Sequence, residues 1–392
     1  MNEILSAKIK DMPLMKFKCS CGREHFFEVS ALSVGKGAVN DIVKIAKPFQ
    51  DGKILIVSDN NTYAVAGKKT ADLLRDNGFS VKELTFDCGK DILIPDEKTI
   101  GRILQEHDLD TSLIVGVGSG VINDSVKFVT SRTKIPYVIV ATAPSMDGYV
   151  SDGAPIISGG FKYSPVAHFA HGVIGDTDFL ETAPFDLIQA GFGDVVGKIT
   201  ALADWDLAVK VKGDYRCDTC VKLVENALSK CFETADGIKD RNSQSLIDLF
   251  EALTLTGVAM ALINISRPAS GAEHMLSHYW EMDYIARGLN PIHHGIQVGV
   301  ATVVIARYFE ELESLLPDGV KEKCPSSSEI EKLLKTVSAP VSPREIGIDR
   351  ELFYNSLVNG DTVRPRYSVL KFAKENGLGE KIAAKITEEI YG

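Results

Sequence analysis

Four of the eight histidines lie close together, in the stretch 266–295. His274 and His278 are four residues apart on a predicted helix, so their imidazoles share one face, one turn apart. A proline then breaks the chain, and His293 and His294 begin a second apolar helix. Because imidazole is a common ligand of zinc-type metals, histidines from these two helices could bind a divalent ion while another contacts a substrate beside it. The spacing predicts a catalytic metal site that needs one more protein ligand.

Asp194 is the candidate for that third ligand. It lies in an apolar predicted helix among small neighbours, Gly191, Gly193 and Gly197. A carboxylate on an apolar helical face is unfavourable unless it is paired or coordinated. One interpretation is a pair with Lys198, four residues further on, and the other is metal coordination. We take coordination, which completes a predicted ligand set from three helices: Asp194, His274 and His294.

The first half of the chain alternates apolar strands with helices. The predicted strands are residues 54–59, 81–86, 112–118 and 137–144, and a helix follows each of the first three. This rhythm predicts an α/β domain with a mostly parallel sheet and helices on both faces.

Two further segments have β character, 15–36, which is typical of an edge hairpin, and 154–176. From about residue 181 onward the pattern is helical. We therefore expect an N-terminal domain, 1–180, and an all-α C-terminal domain, 181–392.

Polar and glycine-rich residues follow three of the predicted strands, where ligands of parallel sheets bind. Asp59 ends the first strand and could accept hydrogen bonds from the ribose of an adenosine, which favours NAD over NADP because a carboxylate repels a 2′-phosphate. The turn GVGSGV follows the third strand and lets a pyrophosphate approach backbone N–H groups at a helix N-terminus. A Ser-, Asp- and Gly-rich loop, 142–154, ends the fourth strand. The predicted cofactor turn consists of Gly116, Val117, Gly118, Ser119 and Gly120.

Composition narrows the class of protein. The chain has 392 residues, of which 45% are hydrophobic, and a formal net charge of -10. A strongly acidic balance argues against nucleic acid or an anionic membrane as partner. The sequence shows no apolar run typical of a signal peptide or a membrane span, so we expect a cytoplasmic protein.

The seven cysteines are an odd number, which fits reduced thiols better than a disulfide framework. Cys19, Cys21 and His25 form a short cluster, and Cys217 with Cys220 forms a CxxC motif. Either group could bind a metal, or the two could meet in the fold. Neither has a second pair at zinc-ribbon spacing beside it, which argues against a structural zinc.

Several segments closely resemble the sn-glycerol-1-phosphate dehydrogenases, in particular their bacterial branch: the glycine turn, ATAPSMDGYVSDGA, GFGDVVGK, SRPASGAEHMLSHYWE and HHGIQVGV. That family belongs to the larger group of dehydroquinate synthases, glycerol dehydrogenases and iron-type alcohol dehydrogenases. The match covers residues 17–370. It implies a Rossmann-like domain, a helical domain and an active site in the cleft between them.

The resemblance also implies roles for single residues. Asp194, His274 and His294, the histidine directly before a glycine, match the ligands of the catalytic metal, zinc or nickel in the family. Asp147 and His278 match catalytic residues beside the substrate, which also lies next to Asp194. NAD or NADP is implied on Asp59, on the glycine turn, and on three residues of the following loop: Thr142, Ser145 and Ser151.

Two details qualify this match. The family turn is usually GGGS, and Val117 at its second position could narrow the space near the pyrophosphate. The segment 364–370 resembles the closing stretch of the family, and its arginines, Arg364 and Arg366, are candidates for binding the substrate phosphate.

The implied reaction is the reversible reduction of dihydroxyacetone phosphate to sn-glycerol 1-phosphate by NADH or NADPH. The metal would act as a Lewis acid, and a water or His278 would deliver the proton. The family further implies a homo-oligomer, at least a dimer, and a product destined for glycerophospholipids. Two alternatives stay open, another metal-dependent polyol dehydrogenase of the same group and a non-catalytic nucleotide- or metal-binding regulator. Dehydroquinate synthase matches less well.

Overall fold

The first half of the chain is built on one parallel sheet. The computed structural model describes residues 3–89 and 92–392. Within them are the strands β1 (Lys16–Lys18), β2 (Glu24–Phe26), β3 (Ala31–Gly35), β4 (Lys53–Asp59), β5 (Ser80–Phe86), β6 (Thr111–Gly118), β7 (Tyr137–Ala141), β8 (Ile156–Ser158), β9 (Phe161–Tyr163) and β10 (Gly172–Asp176). Six of them pair in parallel in the order β3-β10-β7-β6-β4-β5. The predicted α/β class is confirmed.

Helices pack around this sheet and form most of the described chain after β10, which confirms the predicted helical second half. The α-helices of the described residues are α1 (Ile42–Ala46), α2 (Asn60–Thr62), α3 (Lys68–Asp76), α4 (Glu97–Glu106), α5 (Gly120–Thr133), α6 (Thr177–Leu180), α7 (Phe185–Lys212), α8 (Asp218–Glu233), α9 (Ser243–Ile263), α10 (Ala272–Ala286), α11 (His294–Glu311), α12 (Ser327–Thr336), α13 (Arg350–Asn359), α14 (Val369–Glu375) and α15 (Gly379–Tyr391). A π-helical turn, Tyr63–Gly67, joins α2 to α3.

Both faces of the sheet are buried, as expected for parallel strands covered by helices. Along β4, Ile54 and Ile56 pack with α1 and α3 on one face, while Leu55 and Val57 pack with α4 and α5 on the other. Burial of these branched side chains fixes the register, because a slip of one residue would move every side chain to the opposite face.

The order of the strands reverses between β4 and β6. The chain runs from β4 outward to β5, returns past β4 to β6, and then continues in the opposite direction to β7 and β10. A crevice opens outside the carboxyl ends of the strands at such a reversal, and ligands of open α/β sheets bind there. Asp59 and the glycine turn end the two strands that flank this point.

The prediction of an edge hairpin for residues 15–36 is only partly right. The hairpin is β1–β2, which forms a separate antiparallel pair. The remainder, β3, is an edge strand of the main sheet that pairs in parallel with β10. That pairing joins segments about 140 residues apart, so no local pattern in either segment indicates it.

Glycines bring α7 close to its neighbours. A Cβ atom on Gly295, at the start of α11, would lie 1.8 Å from the carbonyl oxygen of Ala190, and one on Gly193 would lie 2.2 Å from the carbonyl oxygen of Gly295. A Cβ on Gly191 would lie 1.6 Å from the carbonyl oxygen of Pro144, in the loop after β7. Only glycine permits these contacts, which hold α7, α11 and this loop together.

α9 is apolar and long enough to cross a membrane by length and composition, the one such helix among the described residues. Of its most hydropathic window, 78% is buried inside the fold. It also carries Asp248 and Glu251, which both form ion pairs with the ammonium of Lys230 on α8. These contacts are those of a core helix.

Candidate active site

Three helices bring the predicted metal ligands together. Asp194 comes from the middle of α7, His274 from the first turn of α10 and His294 from the first residue of α11. One potential ligand atom from each lies within 4.8 Å of the others. The Nε2 atom of His274 is 3.6 Å from Oδ1 of Asp194, and the two imidazole centroids are 5.2 Å apart. Asp194 is fully buried and His274 nearly so.

Neighbouring side chains fix the orientation of both imidazoles. Nδ1 of His274 lies 2.7 Å from Oε1 of Glu273, so the carboxylate accepts a hydrogen bond from this N–H. Nδ1 of His294 lies 3.3 Å from the hydroxyl of Ser277, which in turn donates to Gln297. Carboxylate or hydroxyl partners of this kind are typical behind metal-bound histidines, and they leave each Nε2 lone pair available.

His293 points away from this cluster. Its side chain is 44% exposed and its Nε2 atom lies 3.2 Å from Asp186. Of the adjacent pair, only His294 lies beside Asp194 and His274.

Lys198 connects the cluster to the loop after β7. Its ammonium is fully buried, 2.5 Å from Oδ1 of Asp194 and 2.7 Å from Oδ2 of Asp147. The backbone N–H of Asp147 donates to Asp194. Burial opposes ionisation of Asp194, but the ammonium and the two nearby histidines outweigh it and hold the pKa of this carboxyl well below its usual range. Burial and the charge of Asp194 raise the pKa of Asp147.

A second network surrounds His278, one turn after His274. Arg364 donates to its Nε2 atom at 3.0 Å, and its Nδ1 atom lies 3.7 Å from Glu281. Glu281 in turn receives both hydrogen bonds of Lys162, on β9, at 2.6 and 2.7 Å. Burial, followed by the charges of Lys162 and Arg364, lowers the pKa of His278 to about 4, so the imidazole is neutral at neutral pH.

The predicted cofactor residues lie at the reversal of strand order. Asp59 caps α2, since its Oδ1 atom accepts from the N–H groups of Asn61 and Thr62 at 2.8 Å each. A carboxylate has a second oxygen and further lone pairs, so this cap is compatible with a ribose contact.

The glycine turn leads from β6 into α5. A Cβ on Gly118 would lie 2.7 Å from Ile122, so this position requires glycine, while one on Gly120 would meet only the side chain of Met146 at 3.7 Å or more. Val117 is fully buried in the core on one face of the sheet. The narrowing near the pyrophosphate stays a prediction, and the burial of this side chain in the core argues against it.

The loop after β7 joins this turn to the metal cluster. The N–H of Thr142 donates to the carbonyl of Gly118, and the hydroxyls of Ser119 and Ser145 are in contact. Five residues beyond Thr142 the same loop carries Asp147, which pairs with Lys198.

Lys127 positions the end of this loop. Its ammonium is fully buried, donates to the carbonyls of Gly148 and Gly153, and lies 3.4 Å from the Ser151 hydroxyl. Ser151 is thus held against the helix that the glycine turn begins.

The residues present suit the two groups that the family resemblance implies, a divalent metal and a dinucleotide. One carboxylate and two imidazoles with available Nε2 atoms form a donor set for a zinc-type ion. The carboxylates of Asp147 and Asp194 outnumber the single ammonium of Lys198. The net negative charge favours a divalent cation. At the sheet edge, the open space beside Gly120 and the N-terminus of the fourteen-residue α5 suit a phosphate of a dinucleotide.

Sequence reasoning missed four residues of the site. The sequence offers Lys198 only as an alternative partner of Asp194, whereas it pairs with that residue and with Asp147 together. Its i+4 spacing was the only signal of this. The others, Lys127, Lys162 and Glu281, are charged side chains of ordinary spacing whose partners lie on other elements.

Known proteins are similar to this chain along most of its length. Residues 33–184 match the family model described as iron-containing alcohol dehydrogenase. The chain is 32% identical to a glycerol-1-phosphate dehydrogenase (NAD(P)+) of Halalkalibacterium halodurans, over 94% of this chain and 98% of that protein. It is 34% identical to a protein of the same name from Methanosarcina barkeri, over 91% and 94% of the two chains.

Solved structures share the fold. A glycerol dehydrogenase from Schizosaccharomyces pombe superposes with a TM-score of 0.66 over 91% of this chain and 90% of that chain, at 16% identity. An alcohol dehydrogenase from Oenococcus oeni gives a TM-score of 0.67 over 93% and 98%, at 19% identity. At such identities the likeness concerns the architecture alone.

Proposed function

Because this chain belongs to the glycerol-1-phosphate dehydrogenase family, we propose that it catalyses the reversible NAD(P)H-linked reduction of dihydroxyacetone phosphate to sn-glycerol 1-phosphate. The observation that carries this proposal is the link between two sites. The cluster of Asp194, His274 and His294 is tied through Lys198 and Asp147 to the loop that also contacts the glycine turn. A bound dinucleotide and a bound metal would thus share one cleft.

The chemistry of the reaction comes from both bound groups. The metal, zinc or nickel, would polarise the substrate carbonyl as a Lewis acid, and the reduced nicotinamide would supply a hydride. Asp194, His274 and His294 would hold the metal. Asp59, the residues 116–120, Thr142, Ser145 and Ser151 would hold the dinucleotide.

The protein's own groups set the charge around the substrate. Lys198 keeps Asp194 ionised and ready to bind a cation, and it holds Asp147 at the edge of the cluster. Asp147 is partly exposed, with 17% of its side chain accessible. That position suits hydrogen bonds to the hydroxyl groups of a small polyol. We assign Asp147 a catalytic role in orienting the substrate on this basis.

His278 is a neutral imidazole in this arrangement, held between Arg364 and Glu281. A neutral imidazole can pass a proton by donating from one nitrogen while it accepts at the other. The lone pair at Nε2 accepts a hydrogen bond from Arg364. The proton relay therefore requires this guanidinium to leave His278 and bind an anion instead. A substrate phosphate would be such an anion.

Arg364 is the arginine best placed for that phosphate. It contacts His278, and it lines a cavity of about 340 Å³ together with Arg267 and Arg366. Arg366 instead donates to the carbonyl of Ser270 and the hydroxyl of Ser266, which suits a role in positioning the start of α10. Lys162 supplies a second cation on the other side of His278. Guanidinium groups bind phosphate by paired hydrogen bonds, which gives both affinity and orientation.

Three wider features of the proposal follow from the same family. We place the enzyme in the cytoplasm, expect a homo-oligomer of at least two chains, and assign its product to the synthesis of glycerophospholipids. Light scattering on the purified protein tests the oligomer, and a single-chain mass in solution would contradict it.

The experiment that tests the reaction compares two substrates and then identifies the product. NADH or NADPH oxidation is followed with dihydroxyacetone phosphate and with unphosphorylated dihydroxyacetone, on protein loaded with zinc or nickel. We expect turnover that depends on the phosphate and a product that an sn-glycerol-3-phosphate-specific dehydrogenase does not consume.

Equal rates with both substrates would indicate a polyol dehydrogenase of the same group instead. Cofactor and metal binding without turnover on either substrate would indicate a non-catalytic binding protein.

A further inference from the structure

A second group of metal-type ligands lies outside the candidate active site. Cys19 and Cys21 come from the turn of the N-terminal hairpin, His25 from β2, and Cys217 directly precedes α8. One potential ligand atom from each of the four lies within 4.8 Å of all the others. Cys19, His25 and Cys217 are buried and Cys21 is partly buried. From this arrangement we propose that Cys19, Cys21, His25 and Cys217 bind a structural zinc ion.

The distances between these atoms match the edges of a zinc tetrahedron. Bond lengths of about 2.3 Å to sulfur and about 2.0–2.1 Å to nitrogen place two sulfur ligands about 3.8 Å apart, and a sulfur and a nitrogen about 3.6 Å apart. The Sγ atoms of Cys19 and Cys217 are 3.7 Å apart. Nε2 of His25 lies 3.5 Å from Sγ of Cys217 and 3.3 Å from Sγ of Cys21. A disulfide would need the two sulfurs at about 2.05 Å.

The histidine presents the correct nitrogen to the three thiols. Nδ1 of His25 lies 2.8 Å from the carbonyl oxygen of Leu262, near the end of α9, so this nitrogen carries the proton. Nε2 is then the unprotonated nitrogen, and it faces the cysteines. A backbone carbonyl behind a histidine is a usual partner of a zinc ligand, because it fixes both the tautomer and the ring.

The surrounding groups also suit thiolates. The hydroxyl of Tyr215 donates to Sγ of Cys21, and Sγ of Cys19 contacts the hydroxyl of Thr219. The side chain and backbone of Cys220 donate hydrogen bonds to Cys217. Cys220 thus supports Cys217 rather than completing the ligand set. Three thiolates and one imidazole leave no open position, which is the pattern of structural rather than catalytic zinc.

The turn that carries the first two cysteines is tight. Gly22 has a φ of 85°, its N–H donates to the carbonyl of Cys19, and the N–H of Cys19 donates to the carbonyl of Arg23. A glycine is required there because of the left-handed φ. This turn presents Cys19 and Cys21 on the side where Cys217 lies.

The sequence argued against this zinc because neither cysteine group has a second pair beside it. In the fold, Cys217 supplies the fourth ligand. It lies beside His25, although the two are 192 residues apart in the sequence. A bound ion would join the N-terminal hairpin to the turn before α8 and, through His25, to the end of α9. Its effect would be on the attachment of this hairpin, independent of the reaction proposed above.

Zinc K-edge X-ray absorption on the full-length wild-type protein, purified under reducing conditions with zinc, tests this site. The ligand set proposed for catalysis contains only oxygen and nitrogen donors, so scattering from sulfur reports the cysteine site alone. We expect a sulfur shell at about 2.3 Å. Wild-type protein loaded with zinc that shows only an oxygen and nitrogen shell would overturn the proposal, as would a Cys19–Cys217 disulfide found by mass spectrometry in its place.

Two cysteine variants make the test specific. Cys217 and Cys231 are both fully buried, one directly before α8 and one within it. Cys217→Ala is expected to lose the sulfur shell and about one equivalent of zinc per chain. Cys231→Ala is the matched control and is expected to retain both. A Cys217→Ala protein that keeps its full zinc content with unchanged sulfur scattering would contradict the assignment.

Discussion

The ammonium of Lys198 lies 2.7 Å from the carboxylate of Asp147, across the boundary between a long helix and the loop that follows β7. The same ammonium lies 2.5 Å from Asp194 in the candidate metal cluster. One buried cation therefore ties the cluster to the loop that borders the cofactor turn. Because both carboxylates and the ammonium are largely removed from water, their mutual attraction offsets a large desolvation cost.

Removing this cation leaves two buried carboxylates without their partner. We expect Lys198→Met to lower the free energy of unfolding of the metal-free protein by about 3 kcal/mol, as measured by urea denaturation. The control is Lys210→Met, at an exposed position of the same helix. It should change the stability by no more than about 0.5 kcal/mol. Equal stabilities of the two variants would show that Lys198 does not carry this role.

The contact between α7 and α11 sets the geometry of the candidate metal cluster. A Cβ on Gly295 would lie 1.8 Å from the carbonyl of Ala190, so Gly295→Ala must move His294 away from Asp194. We expect the zinc affinity of the Asp194, His274 and His294 site to fall by about 10–100-fold. That is the range seen when residues that orient metal ligands are changed. Titration of metal-free protein against a coloured chelator measures this.

Gly101→Ala is the matched control for that substitution. It lies within α4, where an added Cβ meets open space, so it should leave the zinc affinity unchanged and favour the helix slightly. If Gly295→Ala binds zinc as tightly as Gly101→Ala, the close contact does not position His294.

Arg364 should distinguish phosphorylated from unphosphorylated substrate. Loss of a charged hydrogen bond to phosphate at Arg364→Ala is expected to raise the KM for dihydroxyacetone phosphate by about tenfold or more. The rate with dihydroxyacetone should stay nearly unchanged, since that substrate has no phosphate. An unchanged KM for the phosphorylated substrate would show that Arg364 does not bind the substrate phosphate.

Arg366→Ala is the companion variant. We expect it to act mainly on stability, because Arg366 donates to Ser270 and Ser266 at the entry to α10. If it leaves the KM for dihydroxyacetone phosphate unchanged, the sequence-based assignment of Arg366 to the phosphate is wrong.

Asp59 combines a structural and a predicted binding role, and two substitutions separate them. Asp59→Ser keeps a hydroxyl that can cap α2 but removes the charge, whereas Asp59→Ala removes both. We expect Asp59→Ser to raise the KM for NADH more than that for NADPH, because the carboxylate favours free ribose hydroxyls and repels a 2′-phosphate.

Thermal denaturation of the same variants measures how much the cap of α2 by residue 59 contributes to stability. Asp59→Ala should be less stable than Asp59→Ser by about 1 kcal/mol. An unchanged ratio of the two KM values in Asp59→Ser would show that the carboxylate does not select between the cofactors.

The sequence indicated the central strands and the long helices because each carries its own periodic pattern. It did not indicate that β3 and β10 pair, since parallel pairing between distant segments leaves no local signal. The hairpin β1–β2 was expected as a hairpin, but no local pattern indicated that it stands apart from the main sheet while β3 joins it.

Site residues divide in a similar way. Asp194, His274 and His294 were identified because an acid among glycines and clustered histidines are unusual in type and spacing, and the structure brings all three together. Lys162, Glu281 and Lys127 were missed because a single charged residue has the same appearance at the surface and in a network. Cys217 and His25 are far apart in the sequence and come together only in the fold. The sequence therefore indicated a contact between their two groups as one possibility among several.

The most direct test of the proposed catalysis is the rate of NADH oxidation with dihydroxyacetone phosphate on metal-stripped protein, before and after zinc or nickel is restored. We expect a rate near zero when the metal is removed and recovery with one of the two ions in the wild type. Asp194→Asn, which keeps the shape but not the charge of the buried ligand, should not recover. Full activity of the stripped wild type, or equal recovery of Asp194→Asn, would contradict a catalytic metal at this cluster.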